Sequence, residues 1–285
     1  MKGEPKMASI HLRFPEGKAK ALTLSYDDGV EQDVKLLKIM QQYGLKGTFN
    51  LNSGLYAEEG TEYPDGQIHR RMTEKQINEC FQNSGQEIAV HSLTHPFLEQ
   101  LPGNLVIKEI IEDRERLEKQ FDTIIRGMAY PFGTYSDSVV EILKNCGIAY
   151  ARTVISTFDF RMPADWLRLT ATCHHKAPEL MQLAKKFTED EADRAPYLFY
   201  LWGHSYEFEA DNNWQVIEEF AEYISNRKDV WYATNIQIYE YSKAYEQLVF
   251  SADGKRISNP TATDLWLKYD DTICEIKSGS TYTIK

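Results

Sequence analysis

The chain alternates between two periodicities. Short runs of consecutive apolar residues read as strands buried on both faces. Longer runs with apolar residues every three or four positions read as helices packed on one face. "ALTLSY" from Ala21 leads into "EQDVKLLKIMQQYG", where Val34, Leu37 and Met40 recur near helical spacing and Gly44 ends the pattern. "KGTFNLN" follows, then a loop rich in glycine and acids over 53–69. "TEKQINECFQNSG" offers Thr73 as an N-cap, and "SDSVVEILKNCG" offers Ser136. Between and after them, "QEIAV", "IIRGMAYP", "IAYART", "LRLTAT", "YLFYLWGH" and "DVWYAT" alternate with helical runs as far as "IQIYEYSKAYEQL". About eight such alternations over roughly 245 residues predict a parallel sheet with crossover helices, closed into a distorted, TIM-like (β/α) barrel of seven or eight strands. An open doubly wound sheet is the alternative, but no glycine-rich phosphate loop follows any strand.

After about Leu248 the pattern changes to short alternating runs. Turn signals stand at Asp253-Gly254, Asn259-Pro260 and Ser278-Gly279. The expected organisation is a barrel over 1–247 and a small C-terminal β appendage over 248–285. So short a set of strands buries little by itself and is expected to dock on the barrel.

Charge and cysteines narrow the partners. A formal net charge of −11 disfavours nucleic acid and anionic membrane surfaces. Cys80, Cys146, Cys173 and Cys274 are widely spread with no C-x-x-C pair, so free thiols are expected. No apolar run approaches the roughly 18 residues of a membrane span. No signal segment is visible in "MKGEPKMASIHLRF". The default location is cytoplasmic, or secreted or periplasmic if a leader has been removed. Oligomeric state is not legible.

Active sites of parallel barrels lie at the C-terminal strand ends. Asp27 and Asp28 follow the first apolar run, His91 and His95 follow "EIAV", Pro131-Phe132-Gly133 follows "GMAY", and His204 follows "LFYLWG". Two histidines four apart would share one face of a helical turn. With a strand-end aspartate they form a His-His-carboxylate set suited to zinc or another divalent ion. Aspartates beside a glycine also make ordinary turns, and a lone histidine is often a core residue. Ordered together along one chain, these residues favour chemistry.

The motifs "LSYDDG", "HSLTH", "AYPFG", Asp165-Trp166 and "LWGH" occur in the order and spacing of the polysaccharide deacetylases, carbohydrate esterase family 4, which the chain resembles over roughly 20–235. The resemblance implies a metal-dependent hydrolase that removes N- or O-acetyl groups from a mono-, oligo- or polysaccharide. It implies one divalent ion, zinc foremost, on Asp28, His91 and His95. It implies Asp27 as general base, the Phe132 N–H as oxyanion donor and His204 as general acid. Tyr130, Trp166 and Trp202 are candidates to line the substrate.

One departure stands out. The family arginine that orients the base is Ala129 here, although Asp165 is kept. Arg152, in the next strand, is the expected substitute and should reach Asp27 or a buried Asp165. Arg161 and Arg168 are alternatives. His174 and His175 are possible rim residues, and Glu207 and Glu209 a possible lip of the cleft. The competing readings are a glycoside hydrolase and a catalytically silent sugar-binding protein. The first needs two carboxylates about 5–9.5 Å apart across a bond, which adjacent aspartates do not supply.

Overall fold

A computed structural model describes residues 9–284. Residues 1–8, which open the stretch read above for a signal segment, lie outside them. The barrel strands are β2 (Lys20–Asp27), β3 (Gly47–Leu51), β4 (Glu87–Val90), β5 (Gly127–Ala129), β6 (Tyr150–Ser156), β7 (Leu169–Ala171), β8 (Cys173–His174) and β9 (Tyr197–Gly203), after an N-terminal β1 (Ile10–Arg13). All neighbouring barrel strands pair in parallel. The sheet order is β7-β6-β5-β4-β3-β2-β9-β8. Only Thr172 separates β7 from β8, so this single bent segment pairs with β6 on one side and β9 on the other. That junction closes a seven-stranded barrel. The strand β10 (Val230–Tyr232) adds to the first half of β2.

Helices α1 (Asp33–Gln42), α2 (Glu74–Phe81), α3 (Gly103–Phe121), α4 (Asp137–Asn145), α5 (Leu180–Glu189) and α7 (Gln215–Ile224) cover the outside. Local chemistry sets their starts. Thr73 and Gln76 form a reciprocal capping box on α2, and Ser136 accepts from the Val139 N–H at 3.3 Å to begin α4. Leu22, Leu24 and Tyr26 of β2 face these helices, together with Phe49, Val90 and Leu201 of neighbouring strands.

The inward positions of the same strands are polar, because side chains alternate along a strand. Ser25 and Asp27 of β2 bond to Asn50 of β3, Asp27 also to Arg152 of β6, and Asn235 links Thr23 of β2 to Tyr200 of β9 and to Thr48 of β3, which bonds Glu87 of β4. Helix α8 (Asn235–Tyr245) closes the N-terminal end of the barrel. Its Asn235 accepts from Thr23 at 2.8 Å and donates to the Tyr200 hydroxyl at 2.7 Å. The interior is therefore a hydrogen-bonded network, whose bonds the low local dielectric strengthens.

Glu87 anchors that network and sets a pH dependence. It accepts from Thr48, Tyr150 and the Ile236 N–H at 2.7, 2.7 and 2.9 Å. Burial pushes its carboxyl up to about 7 despite these donors. An acid raised on folding keeps its proton longer in the folded state. Its contribution is therefore full below the unfolded value near 4.5 and lost as pH rises towards 7. The loss is about 3 kcal/mol, at about 1.4 kcal/mol per pKa unit. Glu87→Gln should flatten the fall in melting temperature between these pH values. An unchanged slope in that variant would assign the dependence to other groups.

The C-terminal segment forms β11 (Val249–Phe250), β12 (Arg256–Ser258), β13 (Leu265–Tyr269), β14 (Thr272–Ile276) and β15 (Thr281–Thr283). These make two small antiparallel sheets, and β1 joins one of them in the order β1-β13-β14. The appendage thus takes a strand from each end of the chain. Its Leu265, Leu267, Cys274 and Ile276 bury against Tyr241 and Ala244 of α8. All four cysteines are free thiols. Among the described residues no helix is long and apolar enough to cross a membrane.

Candidate active site

The C-terminal strand ends bring Asp27, Asp28, His91, His95, Arg152 and His204 to one rim. Asp27 ends β2, His91 follows β4 and His204 follows β9. Ligand atoms of Asp28, His91 and His95 all lie within 4.8 Å of one another. The local backbone is strained to achieve this. Asp28, Ser92 and His95 have φ of +85°, +62° and +57°, in the left-handed region that ordinary residues avoid. The histidines therefore do not share a helical turn, as their spacing predicted. An irregular loop turns both rings inward, with centroids 4.7 Å apart. Strain of this kind persists only where surrounding contacts hold it, and it clusters at functional sites.

Those contacts can be named. Asp113 of α3, itself fully buried, accepts from the His91 N–H at 3.2 Å and from the Ser53 N–H and hydroxyl at 2.7 and 2.6 Å. Asn52 donates to the Ser92 carbonyl at 2.9 Å. His91 Nδ1 lies 2.8 Å from the Ala129 carbonyl, which fixes the proton there and leaves the Nε2 lone pair facing the cluster. Burial pushes the His91 ring down to about 4, so it is neutral at physiological pH. Neutral imidazole and ionised carboxylate are the states a divalent ion requires. On these grounds the trio fits a zinc-like ion.

Two neighbours of Asp28 were not read from the sequence. His69 Nε2 lies 3.2 Å from Asp28 Oδ2, and Arg71 Nη2 donates to Oδ1 at 3.0 Å. Arg71 also donates to the Asp28 carbonyl and, at 2.7 Å, to Asn52. Burial works against the ionised Asp28 carboxyl, but His69, Arg71 and the nearby imidazoles outweigh it and hold it far below the carboxylate range.

Asp27 is buried beside this trio. Its Oδ2 accepts from Arg152 Nη2, and its Oδ1 accepts from Asn50 at 2.8 Å. His91 Nε2 and His204 Nε2 stand 3.9 and 3.8 Å from Oδ2. Burial favours the neutral acid, yet Arg152, His91 and His204 together keep its pKa low. Arg152 is fully buried, with its guanidinium 4.4 Å from the Trp202 ring. Arg152 and Ala129 are register partners on adjacent strands. The guanidinium therefore reaches the base position from one strand beyond Ala129.

Four expectations need correction. Asp165 is not buried and does not meet Arg152. It caps the turn at 166–168, accepting from the Leu167 N–H at 2.9 Å, and pairs with Arg168 at 2.5 Å on the surface. A cation three residues away satisfies it locally. Tyr130 points outward into the helix-packed core, where its hydroxyl donates to the Leu167 carbonyl at 2.8 Å. Trp166 packs edge-on against Tyr239 of α8 and lines a separate apolar cavity of about 410 Å³ with Leu12 and Tyr245. Neither ring lines the rim. Trp202 is nearly buried, between Arg152 and His174, so it backs the site rather than forming an open wall.

Phe132 stands on the rim with a φ of +57°, its ring 4.5 Å from His95 and stacked at 3.9 Å on Phe97. His204 faces Glu207, with Nδ1 3.3 Å from Oε2. Burial disfavours a charged His204 ring, but Glu207 and Asp27 outweigh it and raise its pKa.

The fold and these side chains define a parallel barrel with a carboxylate–imidazole cluster at its C-terminal mouth. Residues 15–151, just under half of the chain, match the family model described as polysaccharide deacetylase. A chitooligosaccharide deacetylase of Sinorhizobium fredii is 25% identical over 153 residues, 53% of this chain and 61% of that protein. An uncharacterised protein of Bacillus subtilis, YlxY, is 23% identical over 175 residues, 60% of this chain and 50% of that one. The chain thus spans about half to three fifths of these relatives. A candidate polysaccharide deacetylase from Mycobacterium smegmatis shares the fold at TM-score 0.58 and 16% identity, over 82% of this chain and 94% of that one. So does the Xyl-CE4 domain of a multidomain xylanase from the hindgut metagenome of Trinervitermes trinervoides, at TM-score 0.53 and 14% identity, over 79% and 92%.

Proposed function

We propose that the chain is a metal-dependent deacetylase acting on an N- or O-acetylated carbohydrate. The match of residues 15–151 to the polysaccharide deacetylase family model supports carbohydrate deacetylation. The observation that carries the metal-dependent reading is the convergence of three ligand side chains beside Asp27 and His204.

Asp28, His91 and His95 would hold the ion. When bound, it supplies Lewis-acid chemistry, acidifying a water and polarising an acyl oxygen. Asp27 takes the proton from the attacking water. The carboxylate is kept ionised by Arg152 and oriented by Asn50. The Phe132 N–H, on the rim turn, serves the oxygen that gains charge. His204 Nε2, 3.8 Å from Asp27 Oδ2, gives a proton to the departing amine or alcohol. An acid and a base whose surroundings push their pKa values apart suit this division of work.

His91→Ala should bind no ion under conditions where the parent chain binds one, measured by elemental analysis after chelator treatment and reloading. Acetate release from acetylated chitooligosaccharides should be lost with the ion and return when the parent is reloaded. Full metal retention after replacement of all three ligands would sink the assignment. Metal binding without acetate release from any acetylated sugar would favour a silent sugar-binding protein.

A further inference from the structure

Glu207 lies three residues after His204, on the short helix α6 (Tyr206–Ala210). One of its oxygens, Oε2, collects donors. The His204 backbone N–H donates to it at 3.1 Å, and His204 Nδ1 lies at 3.3 Å. His174 Nε2 lies 3.1 Å from the same oxygen. The other oxygen, Oε1, faces Lys176 Nζ at 3.8 Å, and that ammonium is held by Asp211 at 2.6 Å.

The ring protons can be placed. The Lys176 N–H donates to His174 Nδ1 at 3.1 Å, so the neutral His174 ring carries its proton on Nε2, aimed at Glu207. An acceptor at His204 Nδ1 places a proton there in the same way. His204 Nε2 is left turned towards Asp27 Oδ2 at 3.8 Å.

His175 completes the enclosure. It is almost fully buried, with Nε2 3.4 Å from Glu207 Oε2 and neither ring nitrogen hydrogen-bonded among the described residues. Its ring stacks on Phe208 at 4.1 Å and Tyr26 at 5.8 Å. Gly203 permits this approach, since a Cβ there would meet His175 Nδ1 at 2.0 Å. Burial holds the His175 ring neutral, so it shields the carboxylate from water without adding charge.

We propose that Glu207 is the positioning residue for His204: it presents Nε2 to the reaction, keeps the ring protonated, and shares its oxygen with His174, which weakens its hold. The role in turnover rests on the reading of His204 as the acid. The placement of the proton rests on geometry alone. The groups facing His204 are Asp27 from β2, Trp202 from β9, His174 from β8, and Tyr206 and Glu207 from α6.

Two variants should move one quantity in opposite directions. A required protonated His204 makes kcat fall as pH rises through its pKa. Glu207→Gln removes the anion, so this limb should shift to lower pH by about one unit, with tenfold lower kcat above it. KM and metal content should change little. His174→Ala removes the competing donor, so the limb should shift to higher pH, and simple structural damage would not do this. Glu207→Asp should restore part of the shift.

The same pKa is to be read by NMR of the His204 ring in zinc-loaded protein without substrate, on variants with native spectral dispersion. An unmoved His204 pKa in Glu207→Gln, or a fall in His174→Ala, overturns the proposal. Absence of acetate release in the parent chain would defeat the deacetylase reading instead, while the NMR titration would still decide the role of Glu207.

Discussion

Asp27→Asn should keep its divalent ion and lose turnover by about 10²–10⁴, the range typical of a general base. The asymmetry follows from the contacts of the two adjacent acids. Asp28 faces the histidine pair and is gripped by His69 and Arg71. Asp27 faces Arg152, Asn50 and His204 instead. An amide at position 27 still accepts from Arg152, but it takes no proton from water. Its N–H would meet the Asn50 amide, whose oxygen has no hydrogen-bond partner among the described residues and can turn to accept. Local structure should therefore survive. Acetate release and elemental analysis on one preparation test this together. Loss of metal in Asp27→Asn with retention in Asp28→Asn would exchange the two roles.

Why some of this was legible in the sequence, and some not, comes down to range. Thr73 and Ser136 cap their helices through neighbours three residues away, so local pattern suffices. Buried parallel strands announce themselves as apolar runs, and their ends mark the rim. That is enough to put Asp28, His91, His95 and His204 in one place once their order is read. Pairings across the chain leave no such trace. β1 joins β13 across the whole barrel, and the β7–β8 bend that closes the barrel reads in "LRLTAT" as one ordinary strand. His69 and Arg71 lie in a long loop without periodicity, where nothing ties them to Asp28. Glu207 is close to His204 in sequence, yet its role appears only when His174 is seen on the same oxygen. The Asp165 expectation failed because a cation at i+3 can satisfy an exposed carboxylate with no help from the core.

Arg152→Ala should lower both stability and turnover, and returning an arginine at position 129 should recover much of each. The guanidinium and the Asp27 carboxylate are both almost fully buried. Removing one partner of such a pair leaves an uncompensated charge, at about 3–5 kcal/mol. The Asp27 carboxyl would answer partly by rising in pKa and holding a proton, which disables it as a base at neutral pH. Turnover should then recover at higher pH, while the ion on Asp28, His91 and His95 stays bound. Arg152→Lys should rescue poorly, because an ammonium lacks the planar fork and packs less well against Trp202. The decisive construction is Arg152→Ala with Ala129→Arg. The two positions are register partners and both face the barrel interior, so the charge moves by one strand while its target stays fixed. Recovery of kcat and melting temperature in the double variant would show that a guanidinium near Asp27 matters more than the strand that carries it. Unchanged kcat in Arg152→Ala, at native metal content, would sever Arg152 from the chemistry and leave it as a buried structural partner of Asp27.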